Sequence, residues 1–207
     1  IPILWPFANR IKDGKFSWQG KEYNLKGITG TKDDGKGNIY HGMVRNESWS
    51  VEDIGADDKG IFMTCALDTD NYPAMKEIFG SSKIRVTYRL KDNSLDIETS
   101  VVNKEKDRPI IMSLAFHPWF NVQDVQHARV QIPAQKRWVA EDNIPTGELK
   151  DVEGKYDLRQ PLEIGSQVYD DVFTDLDMRD GASVSRIKDV TDGIAIEVKA
   201  ADVFKHL

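Results

Sequence analysis

The sequence predicts an all-β fold, a large antiparallel β-sandwich. Three features point to it. From Trp49 onward, short runs of alternating apolar and polar residues recur with turn signals roughly every ten residues. One pair of runs, Lys83 to Leu90 and Leu95 to Val101, alternates cleanly about the turn Lys91-Asp92-Asn93. Only Asn71 to Phe79 leaves room for a helical turn or two. At 207 residues the chain can bury a full core, and it reads as a single domain over residues 1–207. No linker, repeat or low-complexity tract divides it.

In chain order, Ile1 to Ile11 is apolar and punctuated by Pro2 and Pro6. Those prolines exclude a helix interior and a central strand, so the stretch reads as a packed loop ending in Asn9-Arg10. Asp13-Gly14 reads as a hairpin turn between Ile11 and Phe16-Ser17-Trp18, and Gln19-Gly20 as a second turn before Glu22-Tyr23-Asn24-Leu25. Residues 30–38 form a polar loop that delivers Ile39-Tyr40-His41-Gly42. Trp49 to Ile54 and Gly60 to Leu67 are strands. In the next hairpin, Val86, Tyr88 and Leu90 share one face while Arg85, Thr87 and Arg89 share the other. Leu95, Ile97, Thr99 and Val101 likewise oppose Asp96, Glu98 and Ser100, which predicts one buried and one wet side. Ile110 to Phe116 is apolar on both faces and predicts a central strand. Short strands follow at Ala128 to Ile132 and Arg137 to Ala140, and residues 141–168 read as loop-rich. Ala182 to Val190 and Gly193 to Lys199 form a last hairpin.

The net charge of −6 argues against nucleic acid as a partner, because phosphate backbones need clustered Lys and Arg. A neutral small molecule fits better. No apolar run is long enough to cross a bilayer and no signal-peptide pattern opens the chain, so neither a membrane nor export is expected. The lone Cys65, inside the apolar run Ile61 to Leu67, reads as a core thiol. One cysteine rules out an internal disulfide framework, and a reducing, cytoplasmic location is the expectation. Monomer or weak homodimer is the expected state. The chain opens on Ile1-Pro2-Ile3 without methionine and stops at Phe204-Lys205-His206-Leu207 without a closing turn, so both ends read as truncated.

Of the 4 histidines, His127 and His206 read as ordinary surface residues. His41 and His117 each end a β segment, one before Gly42 and one before Pro118. Glycine there permits a close backbone approach, and proline fixes direction. No His or Cys spacing asks for a metal, and none is expected. No phosphate-cradling glycine loop implies a cofactor, and no Ser or Cys motif implies a nucleophile. Acid–base chemistry needs only an imidazole and a carboxylate titrating near working pH. Asp170-Asp171 places two carboxylates together. The turn is either a solvated acidic loop or, given the apolar flanks Val168, Tyr169, Val172 and Phe173, a partly buried one. Trp119, beside His117, and Trp5, near Arg10, are candidates for a ring wall against which a sugar stacks.

Four motifs in order, Pro2-Ile3-Leu4-Trp5-Pro6-Phe7-Ala8-Asn9-Arg10-Ile11, Tyr40-His41-Gly42, His117-Pro118-Trp119-Phe120-Asn121 and Tyr169-Asp170-Asp171-Val172-Phe173, resemble the aldose 1-epimerase (galactose mutarotase-like) family. The resemblance spans nearly the whole chain. It implies a galactose mutarotase-like supersandwich and interconversion of the α and β anomers of free hexoses. Within it, His117 resembles the general acid that protonates the ring oxygen, and His41 the second histidine that supports that oxygen. Asn9, Arg10 and Asp170 resemble the groups that bind sugar hydroxyls. The family's general base is a glutamate near the end of the domain. No match to it is found, and it is expected beyond Leu207; Glu197, in an alternating strand, reads as a solvated carboxylate. His41-Gly42-Met43-Val44-Arg45 with Trp49 also resembles the hexose-6-phosphate 1-epimerase subgroup, where Arg45 would pair with phosphate. A non-catalytic carbohydrate-binding protein on the same fold is the remaining alternative.

Overall fold

A computed structural model describes residues 1–207, and its strands pair only antiparallel. It divides into two compact units, Ile1–Pro118 and Trp119–Leu207. No helix is long and apolar enough to cross a membrane.

The first unit holds β1 (Ile3–Leu4), β2 (Arg10–Ile11), β3 (Lys15–Trp18), β4 (Lys21–Asn24), β5 (Ile39–Tyr40), β6 (Ser50–Asp57), β7 (Gly60–Asp68), α1 (Pro73–Phe79), β8 (Ser82–Lys91), β9 (Ser94–Asn103) and β10 (Ala115–Phe116). Strands β6 to β9 form a four-stranded meander in sequence order. The predicted alternation holds. Leu67, Ile84 and Val101 align across the sheet, as do Cys65, Val86 and Thr99, and Ile84 and Val86 are fully buried. Cys65 itself is half-buried. On the other face Arg85 pairs with Glu52 at 2.7 Å and Arg89 with Asp57 at 2.6 Å. The apolar face packs with Trp5, Phe7, Leu25, Ile39, Met75 and Phe79 into one core. Helix α1 lies where the sequence left room for it, with Pro73 in its first turn.

Two local expectations fail here. Asp13-Gly14 does take positive φ (54° and 63°), but it does not close a hairpin. Strand β2 pairs with β5, while β3 pairs with β4 through Gln19-Gly20. The predicted central strand Ile110 to Phe116 shrinks to β10, which pairs with β1. The cause is the partner. Ser113 N–H donates to the Pro6 carbonyl at 2.7 Å, but Pro6 has no N–H to return. Ala8 N–H bonds the Ser113 hydroxyl instead, at 2.9 Å, and a regular ladder cannot run. Met112 and Ser113 are exposed, and the rest of the segment is only half-buried.

The second unit holds β11 (Arg129–Gln131), β12 (Ala134–Glu141), β13 (Ile144–Asp151), β14 (Leu162–Glu163), β15 (Val172–Leu176), β16 (Ala182–Lys188) and β17 (Ala195–Ala201). They form a four-stranded sheet, β14-β11-β16-β17, and a three-stranded one, β13-β12-β15. Ala134, Val152, Leu158 and Phe173 make its core. Strand β13 lies inside a stretch expected to be loop. Asp142-Asn143, both at positive φ (50° and 63°), close a tight hairpin onto β12. Pro145 and Gly147 hide that strand in the sequence; β13 is an edge strand, where proline is tolerated.

Candidate functional site

The site in the first unit grows from the opening segment. Carbonyls of residues 2–9 accept hydrogen bonds on both sides. On one side His117 N–H donates to Pro2 at 3.0 Å and Ser113 N–H to Pro6 at 2.7 Å. On the other, Met43 N–H donates to Trp5 and His41 N–H to Asn9, each at 2.9 Å. The two histidine segments therefore flank one shared strip of backbone. Trp5 is 1% exposed within it, so it belongs to the core and not to a sugar-facing wall.

Gly42 makes the second approach possible. A Cβ at this position would lie 2.4 Å from the Trp5 carbonyl oxygen and 2.6 Å from the Trp5 nitrogen, and its φ is +71°. His41 precedes it at φ 62°, a turn conformation uncommon outside glycine. The result is that the rings of His41 and His117, both half-buried, meet edge-on with centroids 5.4 Å apart and planes at 66°.

Beside them, Arg10 on β2 and Tyr40 on β5 are a cross-strand pair. The Tyr40 ring lies 4.8 Å from the His41 ring. Cationic groups of Arg10, Lys32 and Arg45 lie 5.9, 5.5 and 5.4 Å from its centroid. A hydrogen bond from Lys32 to the Tyr40 hydroxyl, with another from Arg45 and the charge of both, lowers the phenol pKa against the opposing effect of burial. Arg10 Nη1 donates to Asn9 Oδ1 at 3.2 Å, and its Nε faces Asp34 Oδ2 at 3.5 Å. Asp34 is held down to about 2, first by the Asn38 side-chain amide, with the backbone N–H groups of Lys36 and Asn38 and the Arg10 charge adding to it against burial.

Five sequence-predicted residues, Asn9, Arg10, His41, Arg45 and His117, thus gather in the first unit. Trp119 and Asp170 belong to the second. Trp119 is 80% exposed. Asp170, in the loop before β15, is exposed and accepts a hydrogen bond from Asn143 Nδ2 at 2.7 Å. Asp171 is the more buried of the pair and faces Arg137 at 3.9 Å. Glu197, on β17, is a surface carboxylate bonded by Arg186 Nε at 2.7 Å, and that bond lowers its pKa.

Sequence reasoning missed Lys32, Asp34 and Tyr40. Tyr40 adjoins His41 in the sequence, and only the β2–β5 register puts it beside Arg10. Lys32 and Asp34 sat in a loop that reads as plain polar surface.

The chemistry available is that of two adjoining imidazoles, a side chain that can both donate and accept a proton, beside guanidinium and amide donors. Residues 2–203 match the family described as Aldose 1-epimerase. The chain is 32% identical over 180 residues to galactose mutarotase of Sus scrofa, covering 80% of this chain and 47% of that protein. It is 30% identical over 180 residues to galactose mutarotase of Homo sapiens, covering 81% and 47%. It therefore spans about half the length of the curated relatives it matches. The crystal structure of a galactose mutarotase-like protein from Clostridium acetobutylicum superposes with a TM-score of 0.83 at 23% identity, over 100% of this chain and 63% of that one. That likeness establishes the all-β, mutarotase-like sandwich. With the family match across nearly every residue, the chain is a member of the aldose 1-epimerase family.

Proposed function

We propose that the protein interconverts the α and β anomers of a free hexose by acid–base ring opening and closure. The edge-on contact of His41 and His117 carries this reading. His117 delivers a proton to the ring oxygen as the bond from that oxygen to C1 breaks, and a base removes the proton of the C1 hydroxyl. The sugar opens to the aldehyde, which turns about the C1–C2 bond. The same steps in reverse close the ring on the other carbonyl face. His41 supports the ring oxygen, and Asn9 and Arg10 hold sugar hydroxyls. Glu197, ion-paired with Arg186, is not assigned as the base.

The test is polarimetric mutarotation of freshly dissolved α-galactose and α-glucose by the full-length protein. Galactose comes first because the relatives are named galactose mutarotases. His117→Ala abolishes the acceleration if the assignment is right; unchanged turnover rejects it. Calorimetric sugar binding without anomerisation marks a carbohydrate-binding protein instead.

A second reading, hexose-6-phosphate 1-epimerase, is favoured by one observation. Lys32 and Arg45 converge on Tyr40, and neither makes an ion pair with a carboxylate. Such a pair of cations suits a phosphate. Turnover of glucose 6-phosphate against glucose decides between the two.

A further inference from the structure

We propose that Asp34 is the positioning residue for Arg10, fixing the guanidinium that holds the sugar; the inference rests on the site assignment above. Asp34 lies in a loop of glycine and charged residues, yet its side chain is only 8% exposed. A carboxylate withdrawn from water that far must be bonded on all sides. Its Oδ1 accepts the backbone N–H of Lys36 at 2.9 Å and of Asn38 at 3.1 Å, and its Oδ2 accepts Asn38 Nδ2 at 2.9 Å. Asn38 is itself buried, and its Oδ1 accepts the Asp13 N–H at 3.0 Å. The loop is thereby tied to the turn just after β2. Three N–H donors satisfy Asp34 without Arg10, so the loop holds its shape unaided. The remaining capacity of Oδ2 faces Arg10 Nε.

Arg10 shows the complementary pattern. Its Nε faces Asp34, its Nη1 donates to Asn9 Oδ1, and the Tyr40 ring lies against it. Nη2 is left for a ligand. A guanidinium held at both Nε and Nη1 presents Nη2 in a fixed plane, which an unheld arginine on four rotatable bonds does not. Asp34 therefore acts on the sugar through Arg10 and does not touch it.

A double-mutant cycle tests this in the full-length protein. Asp34→Asn keeps size and most hydrogen bonding but removes the charge. Alone, it is expected to raise KM about tenfold while changing kcat less than about twofold. In an Arg10→Ala background the same change alters KM less than about twofold. Equal effects in both backgrounds, or no effect in either, overturn the proposal. Asp34→Glu, which restores the charge, recovers part of the loss, whereas a role in loop folding alone predicts equal thermal destabilisation and no KM recovery. If Asp34→Asn does not fold, wild-type protein still decides. The Arg10 Nε–H is expected as a resolved, slowly exchanging NMR signal, and a freely exchanging one rejects the clamp. Running the cycle in parallel on galactose Kd separates the two ideas. Absent turnover with a coupled Kd cycle rejects only the enzyme assignment, normal turnover with additive effects rejects only Asp34, and absence of any sugar binding rejects both.

Discussion

The imidazole of His41 meets that of His117 edge-on, 5.4 Å between centroids. If both rings act on one ring oxygen, as proposed, their contributions do not add. His41→Ala and His117→Ala are each expected to lower kcat/KM by about 100-fold or more. The double variant should fall little further than the worse single one. Polarimetry on all three, with circular dichroism to confirm folding, checks this. Multiplying losses would show that the two rings act separately.

Gly42→Ala should be the costliest single-atom addition near the site. The new Cβ would meet the Trp5 backbone, not a flexible side chain, at 2.4 Å and at positive φ. A loss of about 3 kcal/mol is expected in urea unfolding. A loss below about 1 kcal/mol would mean that the two backbones part easily.

The acid limb of stability is the next prediction. Asp34 titrates at about 2 in the folded protein, against about 3.9 when unfolded. A depressed carboxylate contributes stability that is fully present above its unfolded pKa and is lost as pH falls through the folded one. The contribution of Asp34 to the unfolding midpoint should therefore stay flat from neutrality to about pH 5 and fall away between about pH 4 and 2. In Asp34→Asn the drop of the midpoint over that range should be shallower. An unaltered slope would show that Asp34 is not bonded as described.

Charge around Tyr40 predicts a discrimination ratio. If the sugar carries phosphate, Arg45→Ala should lower turnover of glucose 6-phosphate relative to glucose about tenfold, the scale of one lost charge-assisted hydrogen bond. Equal losses on both sugars would assign Arg45 a role independent of phosphate.

The meander offers an internal control. Ile84 is fully buried, whereas Ile54 is 69% exposed. Ile84→Ala should cost about 2–4 kcal/mol through the cavity it leaves, and Ile54→Ala less than about 1 kcal/mol. Similar costs would mean that the outer end of that face is covered.

How far the sequence could be read follows from what each signal depends on. Period-two alternation is local, so β8 and β9 were legible almost to the residue. The segment 110–116 departs from a central strand because its apolar pattern says nothing about its partner, and the partner carries Pro2 and Pro6. Strand β13 was hidden for the opposite reason, since Pro145 and Gly147 are breakers everywhere but at an edge. In the site, His41, His117, Asn9 and Arg10 announced themselves by residue type beside turns. Asp34 and Lys32 did not, because an acidic or basic residue in a glycine-rich loop looks solvated until a register brings Arg10 and Tyr40 to it.

The strip of backbone at residues 2–9 has a further consequence. Its carbonyls alternate, with Pro2 and Pro6 serving the His117 side and Trp5 and Asn9 the His41 side. The side of the strip on which each histidine segment lies is thus set by a count of residues. Substitutions along Leu4 to Ala8 trade packing, but a one-residue deletion there would reverse which carbonyls face which histidine. Over evolutionary time this strip should accept changes of letter and refuse changes of length.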